Sequence, residues 1–258
     1  SNQLDLQAVG IYTAAFTLSG MFVKFVLQAM GADFYPRLTA VSENHTEMRR
    51  LINEQTEVGL LLAFPGLLAT LALAPWVITL FYTSEFAPAS EMLKWFIVGC
   101  MGRVLSWPLG FALLAKGQGK LFASTETAFQ AFHVIIVIAL MHWGGLLGAA
   151  IAFAVLNFTC VAGMLLVTRH TIGFHWSRSV ATHLAWMTPL ATFVVAASIA
   201  TDRFTTGILG SIATLGAGVA CIRQLAVHVE DDNKLIQIIC RIPIGSLIVP
   251  KKSISKVP

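Results

Sequence analysis

The sequence predicts an all-α bundle that crosses a membrane about seven times. Of its 258 residues 56% are hydrophobic and 12% charged, with a mean hydropathy of +0.75, against about a quarter charged in an ordinary soluble domain. The apolar residues gather into stretches near the roughly 20 residues that one crossing needs. These runs do not alternate over about 10 residues as barrel strands do, so each must close its own backbone hydrogen bonds as a helix.

The first span, 8–32, carries Thr13, Thr17, Gly20, Lys24, Gln28 and Gly31 within one quadrant at helical spacing. Small and polar residues on one face suit close helix contact. Lys24 asks for more, because a cation at mid-membrane costs roughly 2.5 to 3.5 kcal/mol and is normally kept against protein or water. The second span, 57–82, contains Pro65 and Pro75, both read as hinge positions because proline removes a helical hydrogen bond. Asn53, Glu54, Gln55 and Glu57 lead into it, where acids in a first turn complement the helix dipole.

The third span, 92–115, repeats the pattern of the first with Gly99, Arg103, Ser106 and Gly110, and Pro108 predicts a bend at 104–108. Arg103 is either a structural cation that caps carbonyls or pairs with an acid, or part of a functional path. Lys94, early in this span, is expected to snorkel outward. The fourth, 120–141, aligns Glu126, Gln130 and His133. Glu126 is a candidate partner for Lys24 or Arg103, or a site for a coupling proton or cation; His133 is a satisfied interior histidine or a second coupling candidate. Spans 146–168, 180–200 and 205–227 follow. The stretch 233–250 is too interrupted to cross and is expected to lie on the membrane surface. The domain reading is therefore 1–170 for the first five spans, 171–227 for two more, and 228–258 for a cytoplasmic tail.

Lys and Arg concentrate in alternate connections, at Arg37, Arg49, Arg50, Lys116, Lys120, Arg169 and Arg178, and in the tail. The positive-inside rule places these and the C-terminus in the cytoplasm. With the N-terminus then outside and no export signal before the first span, at least one upstream span is expected in the parent protein. The net charge of +4 belongs to these loops, not to a nucleic-acid footprint. Cys100, Cys160 and Cys221 lie within spans and Cys240 in the tail, so the cysteines imply neither a disulfide framework nor a metal site. Two buried cations without a nearby acid suggest a path for a negatively charged substrate, with Lys24, Arg103, Gln28, Thr17 and Gln130 as its candidate walls.

One set of residues goes further. Val9-Gly10-Ile11-Tyr12-Thr13-Ala14-Ala15, then Gln28-Ala29-Met30-Gly31 and Tyr35-Pro36-Arg37-Leu38, resembles the second helix of the C-terminal lobe of bacterial O-antigen and polysaccharide flippases, in the multidrug/oligosaccharidyl-lipid/polysaccharide exporter superfamily. Asn53-Glu54-Gln55, Phe64-Pro65-Gly66, Phe81-Tyr82 with Phe86 and Ala89, Arg103-Val104-Leu105-Ser106-Trp107-Pro108, Ala115-Lys116-Gly117 and Gly145-Leu146-Leu147-Gly148-Ala149-Ala150 keep the expected order. The resemblance runs from residue 8 to about residue 170.

It implies a carrier that moves an undecaprenyl-pyrophosphate-linked oligosaccharide from the cytoplasmic to the periplasmic leaflet of the bacterial inner membrane. Such carriers have two six-helix lobes around a central, often basic cavity that opens alternately to either face. The resemblance implies no resident cofactor, with proton or sodium coupling as an option, and membrane lipids and polysaccharide polymerase or assembly proteins as partners. The first lobe and the opening helix of the second have no counterpart here, and the last two spans suit the fourteen-helix relatives. A polymerase or ligase is the competing enzyme reading. It would need a long outer loop with catalytic residues, whereas the outer connections run to roughly ten residues or fewer, with no metal-binding carboxylate cluster, nucleophile-base pair or phosphate-binding glycine loop. A noncatalytic scaffold of the assembly complex is the other alternative.

Overall fold

The computed structural model describes residues 6–228. Seven α-helices follow in order: α1 (Leu6–Ala40), α2 (His45–Ala72), α3 (Ala74–Phe81), α4 (Ala89–Ala115), α5 (Gly119–Ile172), α6 (Arg178–Ala200) and α7 (Arg203–His228), with a 3₁₀ turn at Ser84–Phe86 before α4. Among the described residues there is no strand. Six of the helices are long and apolar enough to cross a membrane.

The 54 residues of α5 would span about 80 Å if straight, more than twice a hydrocarbon core of about 30 Å. They fold back instead. Gly145 has φ 55 and ψ −138, a conformation that glycine tolerates and other residues resist. After it the chain returns so closely that a Cβ on Gly148 would lie 2.1 Å from the Leu140 carbonyl oxygen, and one on Gly163 2.6 Å from the Phe129 ring. The two halves, 119–144 and 146–172, are thus an antiparallel hairpin, and the count of crossings returns to seven.

Two element boundaries differ from the sequence reading. The first helix runs on through Pro36 to Ala40 because Phe34 and Leu38 are buried with Met48, Ile52, Leu109 and Leu113. The second begins twelve residues early, at His45, where the Asn44 side chain accepts hydrogen bonds from the Thr46 and Glu47 amides, both at 3.1 Å. Asn53, Glu54 and Glu57 therefore stand in the body of α2, not in its first turn. Pro65 and Pro108 lie within unbroken α2 and α4. At Pro75 the ladder does break: α2 is capped at Leu73, and α3 starts with Pro75 in its first turn.

The helices α2 and α4 form the centre. The core around them joins Leu67, Leu68 and Leu71 of α2 to Leu93, Phe96 and Ile97 of α4, with Val180 and Met187 of α6 and Ala217 and Cys221 of α7. The last two helices thus pack on α2. The first and fourth helices run in the same direction, since Cys100 Sγ approaches the Ser19 carbonyl at 3.5 Å and the Trp107 ring lies 3.0 Å from a Cβ built on Gly31. Gly99 fits against α5 with no room for a side chain: a Cβ there would lie 2.5 Å from Phe153 Cδ1 and 3.0 Å from Ala154 Cα. Close van der Waals packing between helices, with small residues such as Gly99 at the contacts, sets the arrangement rather than one motif.

Candidate functional site: an amphipathic cavity with two cations

Between α1, α4 and both halves of α5 lies a cavity of about 920 Å³. Its wall takes Thr17, Lys24 and Gln28 from α1, Arg103 and Ser106 from α4, Glu126 and Gln130 from the first half of α5, and Asn157 and Cys160 from the second. Every residue named from the sequence as a candidate wall, Lys24, Arg103, Gln28, Thr17 and Gln130, lines this one space, and so does Glu126. The parallel course of α1 and α4 is the reason. Two helical stripes at matching depth face one gap, and the hairpin of α5 closes its far side.

Thr17, Lys24, Gln28, Arg103 and Gln130 are solvent-accessible in this chain, and Glu126 is half-buried. The Arg103 guanidinium carbon sits 5.4 Å from the centroid of the Phe153 ring, a cation–π distance. Among the described residues no ion pair within 4 Å includes Lys24, Arg103 or Glu126. The pairing of Glu126 with either cation, one of two roles considered for it, is therefore not formed. Both Arg103 and Glu126 lie within electrostatic reach of Cys160, so opposite charges share the cavity without contact.

Three stripe residues lie elsewhere. Thr13 returns its hydroxyl to the Val9 carbonyl at 2.8 Å, Gly99 packs on Phe153, and His133 lies outside the cavity wall. The Nε2 atom of His133 is buried, with no hydrogen-bond partner among the described residues. Lys94 does not snorkel. It is 8% exposed, its Nζ donates to Glu91 Oε1 at 2.7 Å and lies 3.4 Å from the Ser198 carbonyl of α6, so its charge is satisfied inside the bundle.

The sequence reading missed the rest of the wall. Trp107, Phe111 and Phe122 make an aromatic end, with Trp107 and Phe111 centroids 4.6 Å apart. Asn157, Cys160 and Met164 line the wall from the second half of α5, and their i, i+3, i+7 spacing was the available signal. Among the described residues no three His, Cys, Asp or Glu side chains gather as metal ligands would. The surface tail, 228–258, lies outside the described residues except for His228.

Known proteins share the fold of this chain. Residues 2–91 match the family described as "Polysaccharide biosynthesis protein". The chain is 23% identical over 174 residues to the Lipid III flippase of Escherichia coli (strain K12) and, equally, to that of Shigella flexneri, a match that takes in 65% of this chain and 41% of each relative. It shares its fold with the lipid II flippase MurJ in an inward closed conformation, at a TM-score of 0.60 and 13% identity, over 83% of this chain and 48% of that one. The chain thus spans less than half the length of these relatives. They are flippases by name. Its apolar helices make this a multi-pass membrane protein, similar to the polysaccharide biosynthesis family over residues 2–91 and to the lipid III flippases over 174 residues.

Proposed function

We propose that the chain is the second-lobe portion of a flippase that carries a diphosphate-linked lipid oligosaccharide, an O-antigen unit or a related saccharide, from the cytoplasmic to the periplasmic leaflet by alternating access. The observation that supports this most is the convergence of Lys24 and Arg103, neither ion-paired within the described residues, on one cavity with polar and aromatic walls. A cation held near mid-membrane is favoured only when something anionic or aqueous meets it, and a diphosphate passing through supplies that charge. Gln28, Gln130 and Thr17 add hydrogen-bonding groups that suit saccharide hydroxyls. Glu126 is the proposed site for a coupling proton or sodium ion, Pro65, Pro75 and Pro108 are the proposed hinges, and the C-terminus is proposed to be cytoplasmic. Proteins that polymerise the saccharide are the expected partners on the far side.

The test is complementation with the full-length parent gene in a flippase-deficient bacterium, scoring surface polysaccharide for wild type, Lys24→Ala and Arg103→Ala at matched membrane levels. The proposal expects polymer from wild type and little from either variant. Normal export by both variants would remove these cations from the mechanism.

A further inference from the structure

Arg103 stands on the cavity wall, and the structural roles open to a buried cation are not taken up. Among the described residues no ion pair within 4 Å includes it. Its guanidinium caps no carbonyl either; the side-chain hydrogen bond made at this residue runs from the Ser106 hydroxyl to the Arg103 carbonyl, at 3.3 Å. Its neighbour is a ring instead, with the guanidinium carbon over Phe153 at 5.4 Å from the centroid.

Two glycines build that approach. Gly99 stands four residues before Arg103 on α4 and Gly102 one before it. A Cβ on Gly99 would lie 2.5 Å from Phe153 Cδ1, and one on Gly102 3.1 Å from the Asn157 carbonyl carbon, so the second half of α5 lies on α4 about as closely as backbones allow. The ring it delivers is fixed. Phe153 is 5% exposed and meets Phe16 and Phe96 edge to face, at centroid distances of 5.8 and 5.4 Å and interplanar angles of 88° and 77°. Arg103 borders the cavity and Phe153 does not. The order from core to cavity is therefore ring, guanidinium, open space.

This order has a chemical consequence. The face of an aromatic ring attracts a cation, yet it accepts none of the five N–H donors that a guanidinium carries in its plane. A carboxylate in the same place would hold the cation through those donors and offset its charge, as Glu91 does for Lys94 on the same helix. We infer that Phe153 is the positioning residue for Arg103: its ring holds the guanidinium at the cavity wall without neutralising it, so that an anionic headgroup meets a cation already in place with its donors free. The inference rests on the reading of the cavity as a diphosphate site and names the residue that prepares it. Ordering one long side chain at the moment of binding weakens affinity by up to about tenfold, and a restrained Arg103 avoids most of that loss.

The experiment replaces Phe153 in the full-length protein by mono-, di- and trifluorinated phenylalanine, which keep the shape of the ring while withdrawing charge from its face, and measures binding of a polyprenyl diphosphate lipid in detergent. Affinity should fall stepwise, by about tenfold at the trifluorinated ring, with thermal unfolding unchanged. In an Arg103→Ala background the series should be flat, because the ring then has no cation to hold. An equal fall in both backgrounds would make Phe153 a packing residue only and overturn the inference. A wild type that binds no diphosphate defeats the transport reading and this one together, whereas wild-type binding with a flat series defeats this one alone. The monofluorinated ring is hardly larger than the native one, so the test survives misfolding of the trifluorinated protein.

Discussion

Lys94 and Arg103 stand about two and a half turns apart on α4, the first with its ammonium on Glu91 and near the Ser198 carbonyl, the second on a cavity wall with the Phe153 ring as its neighbour. The same contrast separates whole regions. Where α2 and α4 meet α6 and the end of α5, polar side chains find partners in the fold: Arg49 donates to the Ile172 and Gly173 carbonyls that end α5, and Asn53 bridges the His175 carbonyl and the Ser177 amide. Along the cavity wall Lys24, Arg103 and Glu126 have no partner within ion-pair distance among the described residues. A charge that the fold satisfies is part of the structure; one that it leaves accessible is available to a ligand.

Small residues divide the same way, and this gives the largest expected effect. Gly99→Ala should destabilise the full-length protein by about 3 kcal/mol, because Phe153 and the Ala154 backbone already occupy the space of its Cβ. Gly20→Ala, with nothing within 4 Å of its Cβ, should lose none and gain up to about 1 kcal/mol of helix preference. Thermal unfolding in detergent compares them, and equal losses would erase the distinction between a glycine packed against α5 and one facing the cavity.

Next comes the exchange of charge for shape. Lys94→Met should cost about 2 kcal/mol of stability, as expected for a charged hydrogen bond at a buried position, while export persists at matched levels. Lys24→Met should do the reverse, with unchanged unfolding and lost export. A smaller effect, about 1 kcal/mol, is expected for Asn44→Ala, which removes both cap hydrogen bonds of α2.

The smallest effect is local and pH-dependent. Asp202, in the connection before α7, accepts from the Thr205 hydroxyl at 2.6 Å and from the Phe204 and Thr205 amides, and the Thr205 hydroxyl first, with the Thr205 amide next, holds its carboxyl below the ordinary carboxylate value. Because the folded value is the lower one, this contribution is present above the ordinary value and is lost as pH falls through the depressed one. Amide protection at residues 204–206, corrected for the intrinsic pH dependence of exchange, should therefore fall on acidification in that range, and Asp202→Asn should remove that fall.

The wall was legible in the sequence because helical spacing alone puts Thr17, Lys24 and Gln28, or Glu126 and Gln130, on one face, and because apolar length gave the crossings. Partners distant in sequence were not legible. The Ser198 carbonyl lies 104 residues from Lys94, so an interior lysine looked like a surface one. Ser179 and His183 lie more than a hundred residues from Glu57, and the earlier start of α2, set by the Asn44 cap, turned a presumed first-turn acid into a buried one. Asn157 and Cys160 join the wall only because the hairpin at Gly145 returns the second half of α5 to the first.

The central claim is that Lys24 and Arg103 act together on an anionic lipid headgroup, and the direct measurement is binding of a polyprenyl diphosphate lipid to the purified full-length protein by native mass spectrometry, for wild type and for Lys24→Ala with Arg103→Ala. The account predicts a loss of about a hundredfold in the double variant, roughly tenfold for each charge-assisted contact, with unfolding unchanged. Equal affinity in the two proteins would contradict it.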